Sequence, residues 1–134
     1  MSSSILAQYE QLTPQERNYI TSHPHHALTI RQSKETAFEA TKARFGFNGR
    51  NDKSDAFRHC FWSAILARDI GYANALRFTT AHESSLINPK NEKAMDLHNN
   101  SVGLVIGRQG GSDQILSHRC MEALVSRRLT VLIP

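Results

Sequence analysis

Three short segments of the chain hold the side chains best able to move protons or bind a cation. In "DAFRHCFW", Asp55, Arg58, His59 and Trp62 fall at i, i+3, i+4 and i+7, along one stripe of a helix. An Asp one turn before a His is a usual way to fix its tautomer and orient its ring. In "FTTAHESSLI", His82 and Glu83 sit side by side where a segment patterned by Leu76, Phe78 and Thr79 ends. A carboxylate held against apolar walls acquires a raised pKa, which prepares it to act as a general acid. In "MDLHNNSVGLVIG", Asp96, Asn99, Asn100, Gly103 and Gly107 fall at i, i+3, i+4, i+7 and i+11. A helix there carries a carboxylate, two amides and two glycines on one face.

These residues suit three kinds of protein. The first is a glycoside hydrolase or similar wall-cleaving enzyme, with Glu83 as acid and Asp96 as base. His59 and His82 stand with them, and Asp55, Arg58, Trp62, Asn99, Asn100 and Gly103 bind substrate or support the site. Its carboxyls need about 6.5–9.5 Å between them for an inverting reaction. The second is a metal-dependent phosphodiesterase, phospholipase or nuclease using His59, His82, Glu83 and Asp96, with His59, His82 and Asp96 as N and O ligands to a divalent ion and Asp55 as a further group that can bind it or support its ligands. No cofactor is required by the first reading; the divalent metal belongs to the second. The third is a helical binding module whose polar seams are core hydrogen-bond networks. Glycines inside a helix cost about 1 kcal/mol each relative to alanine, so Gly103 and Gly107 call for a close approach by another backbone or by a substrate. No second His follows His82-Glu83 in HExxH spacing, so the zinc-protease motif is absent.

The elements that must position these groups are helical. Residues 3–11 read as a first helix. "LTPQERNYITSH" starts a second, with Thr13 as N-cap, Pro14 in the first turn and Glu16 completing a capping box. "HPHH" ends it, and "SKETAFEATKARFGF" reads as a third, capped by Ser33 and closed near Gly46. A glycine- and asparagine-rich loop, "GFNGRND", leads to a strong helix that starts near Lys53 or Ser54 and stops at Gly71. The segments from Tyr72 and from Asn91 are further helices, the latter ending at Gly110-Gly111, and Ser112 caps a last one. "LTVLIP" is β-branched and reads either as a short strand or as an extended tail packed on the body. The expectation is a mainly α single domain of six or seven helices. Residues 1–50 supply N-terminal helices, 51–111 the site-bearing ones, and 112–134 the last helix and tail.

At 134 residues, 40% hydrophobic and 21% charged, the chain has the length and composition of one soluble domain. No stretch approaches the length of apolar residues that spans a bilayer, and "MSSSILAQYEQL" lacks the basic start of a secretory signal. The protein is therefore expected in the producer's cytoplasm unless a dedicated machine exports it. The net charge of +4 favours an anionic partner. The basic residues are scattered, so nucleic acid gains less from this than a wall polymer or acidic lipid does. Cys60 reads as a small buried thiol; His23, His25 and His26 read as a surface loop, and His98 and His118 receive no role.

"NDKSDAFRHCFWSAILA", then "AHE", then "MDLHNNSVG" resembles a bacterial family whose modules end secreted effectors and polymorphic toxins, or stand alone. The resemblance implies an antibacterial effector context, with a cognate immunity protein and a secretion apparatus that carries the chain to the target-cell periplasm. "ESSLINPKNEKAMDLHNNSVGL" is also similar to the stretch after the catalytic glutamate of goose-type lysozymes and lytic transglycosylases. That likeness implies Glu83 as general acid, Asp96 as water-activating base, Asn99 as a sugar or water ligand, and peptidoglycan as substrate.

Overall fold

The computed structural model describes residues 11–134. Among them are six α-helices and one 3₁₀ turn, with no strand: α1 (Pro14–Ser22), the turn Pro24–His26, α2 (Ala27–Phe45), α3 (Lys53–Ile70), α4 (Tyr72–His82), α5 (Lys90–Arg108) and α6 (Asp113–Val125). The expected helix over residues 3–11 falls almost wholly outside the described residues. No helix among the described residues is long and apolar enough to cross a membrane.

The capping chemistry at α1 is as the sequence predicts. Glu16 N–H donates to Thr13 Oγ1 at 3.1 Å, and Thr13 N–H donates to Glu16 Oε1 at 2.9 Å. Thr13 Oγ1 also donates to the Ala81 carbonyl at 2.8 Å, which ties the start of α1 to the end of α4. Ser33 is not a cap. Pro24 opens a 3₁₀ turn that runs directly into α2 at Ala27, a position where a missing N–H costs nothing. Ser33 therefore lies inside α2, buried, and its hydroxyl donates to the Ile30 carbonyl at 2.7 Å.

α3 is the central element. Phe57, Phe61, Ile65 and Leu66 are buried on it, and so are its polar residues Ser54, Asp55 and Ser63. A helix apolar nearly all round can only exist with neighbours on every side. α5 comes closest: a Cβ built on Gly103 would stand 2.1 Å from the Cys60 carbonyl oxygen, and one on Gly107 2.0 Å from that of Ala64. The glycines are there for backbone contact with α3. Asp52 caps α3 by accepting from Asp55 N–H at 3.0 Å, and Gly71, at φ +89°, turns the chain directly into α4. Cys60 on α3 and Cys120 on α6 are both fully buried thiols, Sγ to Sγ 3.0 Å.

The C-terminal segment is a packed tail, not a strand. Leu132 and Ile133 both donate to the Asn51 carbonyl, at 3.0 and 2.8 Å, so their main chains meet one loop residue and no ladder forms. Asn99 clamps the same tail: its Nδ2 donates to the Thr130 carbonyl at 3.0 Å and its Oδ1 accepts from Thr130 N–H at 2.8 Å. Asn99 is fully buried, so truncating it strands two backbone groups. Asn99→Ala is expected to cost about 1–3 kcal/mol in chemical denaturation and to expose the amides of residues 130–133 to hydrogen exchange.

Candidate functional site

Three elements converge on His59. α3 brings Asp55, Arg58, His59, Trp62 and Ser63; α4 ends in His82 with Glu83 as its C-cap; α5 brings Asp96 and Asn100. His59 Nδ1 lies 3.2 Å from Asn100 Oδ1 and 3.5 Å from Glu83 Oε2. Its Nε2 lies 3.3 Å from Asp55 Oδ1 and 3.5 Å from Asp96 Oδ1. Three carboxylates from three elements thus surround one imidazole.

The hydrogen bonds assign the protons. Asn100 Nδ2 donates to Glu83 Oε2 at 2.9 Å, which leaves Asn100 Oδ1 to accept, from Ser63 Oγ at 3.1 Å and from His59 Nδ1–H. The neutral ring therefore turns the lone pair of Nε2 toward two carboxylate oxygens. That arrangement is repulsive unless a proton or a cation lies between them. Burial opposes a charge on His59, but the hydrogen bond to Asp55 and the negative field of Asp96, Glu83 and Asp55 outweigh it and raise its pKa.

The carboxylates are supported unequally. Burial would raise the Asp55 pKa; the hydrogen bond and charge of His59, the Asn51 N–H and Arg58 pull it below the usual value. Asn51 N–H donates to Asp55 Oδ2 at 2.7 Å and Arg58 Nη2 to Oδ1 at 2.5 Å. Glu83, 2% exposed, has the Asn100 amide. Asp96 has no such help: its Oδ1 is buried without a hydrogen-bond donor among the described residues. Its burial, against the attraction of His59 and with the repulsion of Glu83 and Asp55, pushes its pKa up to about 6. One atom each of Asp55, His59 and Asp96 lies within 4.8 Å of the others, a spacing that suits ligands of a common divalent ion.

Not every expected residue joins the cluster. His82 Nδ1–H donates to the buried Glu16 Oε2 at 2.9 Å; the His82 ring is 6.4 Å from that of His59 and 5.0 Å from that of Trp62. The ligand set expected as His59, His82 and Asp96 is, in geometry, Asp55, His59 and Asp96, because Glu16 claims His82. Asn99 points to the tail and Gly103 to the α3 backbone, so neither reaches His59. Arg58 orients Asp55, binds the Gly49 carbonyl at 3.1 Å and lies over Phe38. Trp62 borders the His82 side, and its buried Nε1 has no partner among the described residues.

Three contributors escaped the sequence reading. Ser63 is four residues after His59, so helical spacing could have found it. Asn51 stands one turn before Asp55 and adopts φ 64°, a left-handed conformation that Asn tolerates better than most residues. Glu16 carries no local signal for its pairing with His82, 66 residues away.

No curated protein and no solved structure matches this chain. One family model does, over residues 17–128, a span that holds all of α2 to α6 and every residue of the His59 cluster. The chain belongs to the family described as a domain of unknown function, DUF6973.

Proposed function

We propose that the chain is a hydrolase whose reaction centre is a divalent cation held by Asp55, His59 and Asp96. The observation that carries this is His59 Nε2 facing two carboxylate oxygens, one of them, Asp96 Oδ1, buried without a donor. Leaving such a group unsatisfied costs about 1–3 kcal/mol, more for a charged one, and a cation between the three removes that cost. Such an ion polarises a scissile ester or phosphoryl bond and acidifies water. The protein's own part is positional. Asn100 and Glu83 fix the imidazole from its Nδ1 side, while Asn51 and Arg58 fix Asp55. Ligands held in this way by outer hydrogen bonds usually lose ten- to a hundredfold in metal affinity when a holder is removed.

This reading is preferred to the carboxylate-only muramidase because Glu83, its general acid, is 2% exposed and already engaged with Asn100 and His59. The net charge of +4 suits an anionic, phosphate-bearing substrate. In the effector context that the sequence motif implies, the target is the envelope of a competing bacterium. Delivery is by a dedicated secretion machine, and a cognate immunity protein protects the producer.

Metal analysis and thermal melts test the centre. One divalent ion per chain is expected, with a lower melting temperature in chelator; Asp55→Asn and His59→Ala should lose both effects. No bound ion and no shift across the common divalent series would sink it. Expression should be toxic when the chain is directed to the periplasm and harmless in the cytoplasm; the reverse pattern points to nucleic acid.

A further inference from the structure

Asn51 stands where α3, α5 and the C-terminal tail meet. Its N–H donates to Asp55 Oδ2 on α3 at 2.7 Å, and its side-chain Nδ2 donates to Glu92 on α5. Its carbonyl accepts from the tail twice, from Leu132 N–H at 3.0 Å and from Ile133 N–H at 2.8 Å. At φ 64° its backbone is in the left-handed region, a state that persists where neighbours hold it. The tail is anchored before it reaches Asn51. Leu129 is buried, Asn99 pairs with both main-chain groups of Thr130, and Val131 packs on the core. Beyond Val131 the pattern changes. Leu132, Ile133 and Pro134 are exposed, so their side chains bury little. What Leu132 and Ile133 supply is two main-chain donors aimed at one carbonyl.

We propose that Leu132 and Ile133 are a strap on the reaction centre: through Asn51 they hold Asp55 in the orientation that faces His59 and Asp96. Peptide units are planar, so fixing the carbonyl of Asn51 leaves its φ and ψ little freedom, and that sets where its N–H points. The N–H in turn pins Asp55 Oδ2, which leaves Oδ1 directed at His59 Nε2, 3.3 Å away. Asn51 is thus a positioning residue, and the tail acts through it. Whatever draws the last three residues away loosens Asp55 without touching the site, which makes the tail a control point. In naming a cation centre as the thing controlled, the proposal rests on the hydrolase reading; the hold on Asn51 and Asp55 does not.

Titration with zinc, manganese and magnesium ions in turn, and native-state hydrogen exchange, test the strap on the full chain and on one ended at Val131. The shortened chain keeps the Asn99–Thr130 clamp and should fold. Its ion affinity is expected to fall about tenfold, as when an outer holder of a metal ligand is removed. Without ion, its Asn51 N–H should exchange severalfold faster, while amides in the middle of α3 keep their rates. Leu132→Ala combined with Ile133→Ala keeps both main-chain donors and should behave as the full chain does. Coupling between sites is reciprocal, so saturating ion should slow exchange at the Leu132 and Ile133 amides of the unmutated chain by the factor that shortening costs in affinity. That measurement needs no variant. Equal ion affinity in the two chains, with Asn51 exchange unchanged, overturns the strap and leaves the centre standing. A double-alanine chain as weak as the shortened one also overturns it, since side-chain packing would then carry the effect. No bound ion in any chain, with faster Asn51 exchange on shortening, keeps the strap and removes the cation.

Discussion

Gly103→Ala is expected to destabilise the protein by about 2 kcal/mol, although alanine is the better helix former. Propensity alone predicts a gain of about 1 kcal/mol for alanine in the interior of α5. The added Cβ, however, would stand 2.1 Å from the Cys60 carbonyl oxygen, 2.8 Å from its carbon and 3.0 Å from its Cα. All three are backbone atoms of α3, the central helix, so no side chain can swing aside. Overpacking of this kind costs up to about 3 kcal/mol and outweighs the propensity gain. Gly107 repeats the contact one turn on, 2.0 Å from the Ala64 carbonyl oxygen. The double variant, near 4 kcal/mol if the two costs add, approaches the lower end of whole-domain stability, about 5 kcal/mol. Urea unfolding reads this as a lower midpoint at unchanged slope. Because α5 carries Asp96 and Asn100 while α3 carries His59, the same displacement opens the cluster. Cation affinity should therefore fall in Gly103→Ala even at temperatures where the variant is folded. A rise of about 1 kcal/mol would mean that the two backbones do not touch.

That contact also explains what could be read from sequence and what could not. Helical spacing alone put Asp55 with His59 on one face, and Asp96 with Asn100 on another, because residues four apart share a face whatever the tertiary context. Spacing could not separate Asn99 from Asn100. The two are neighbours on α5, and which of them meets His59 depends on how that helix is rotated against α3. Gly103 and Gly107 set the rotation by seating α5 on the Cys60 and Ala64 carbonyls; two glycines inside a helix announce such a close approach, but nothing local says which backbone makes it. His82 is a similar case. Its place beside Glu83 made it a natural ligand, but Glu16, already spent on a capping box, also reaches it from α1. The tail resembled a strand because β-branched residues favour extended backbone, but it bends at Leu129 and Leu132. A strand also needs a partner edge, and among the described residues there is none.

The opposite result is expected of Asp96→Asn: greater stability with loss of function. In chelator, the Asp96 carboxylate is a charge with two like charges nearby and one oxygen buried without a donor. Its pKa stands at about 6 against an ordinary 3.8. A carboxyl raised in the folded state gives stability that is complete below pH 4 and is lost as pH rises through 6. At pH 7 the loss amounts to about 1–3 kcal/mol, at about 1.4 kcal/mol per pH unit. The isosteric amide carries no charge, so the variant should melt several degrees higher at pH 7 and no higher below pH 4. If Asp96 is a ligand as proposed, adding the divalent ion should reverse the order, since the amide is the weaker ligand and binding adds to stability by mass action. Toxicity should disappear with the ion. A structural network predicts the contrary: Asp96→Asn would then lose stability at every pH above 4, and the ion would move neither protein.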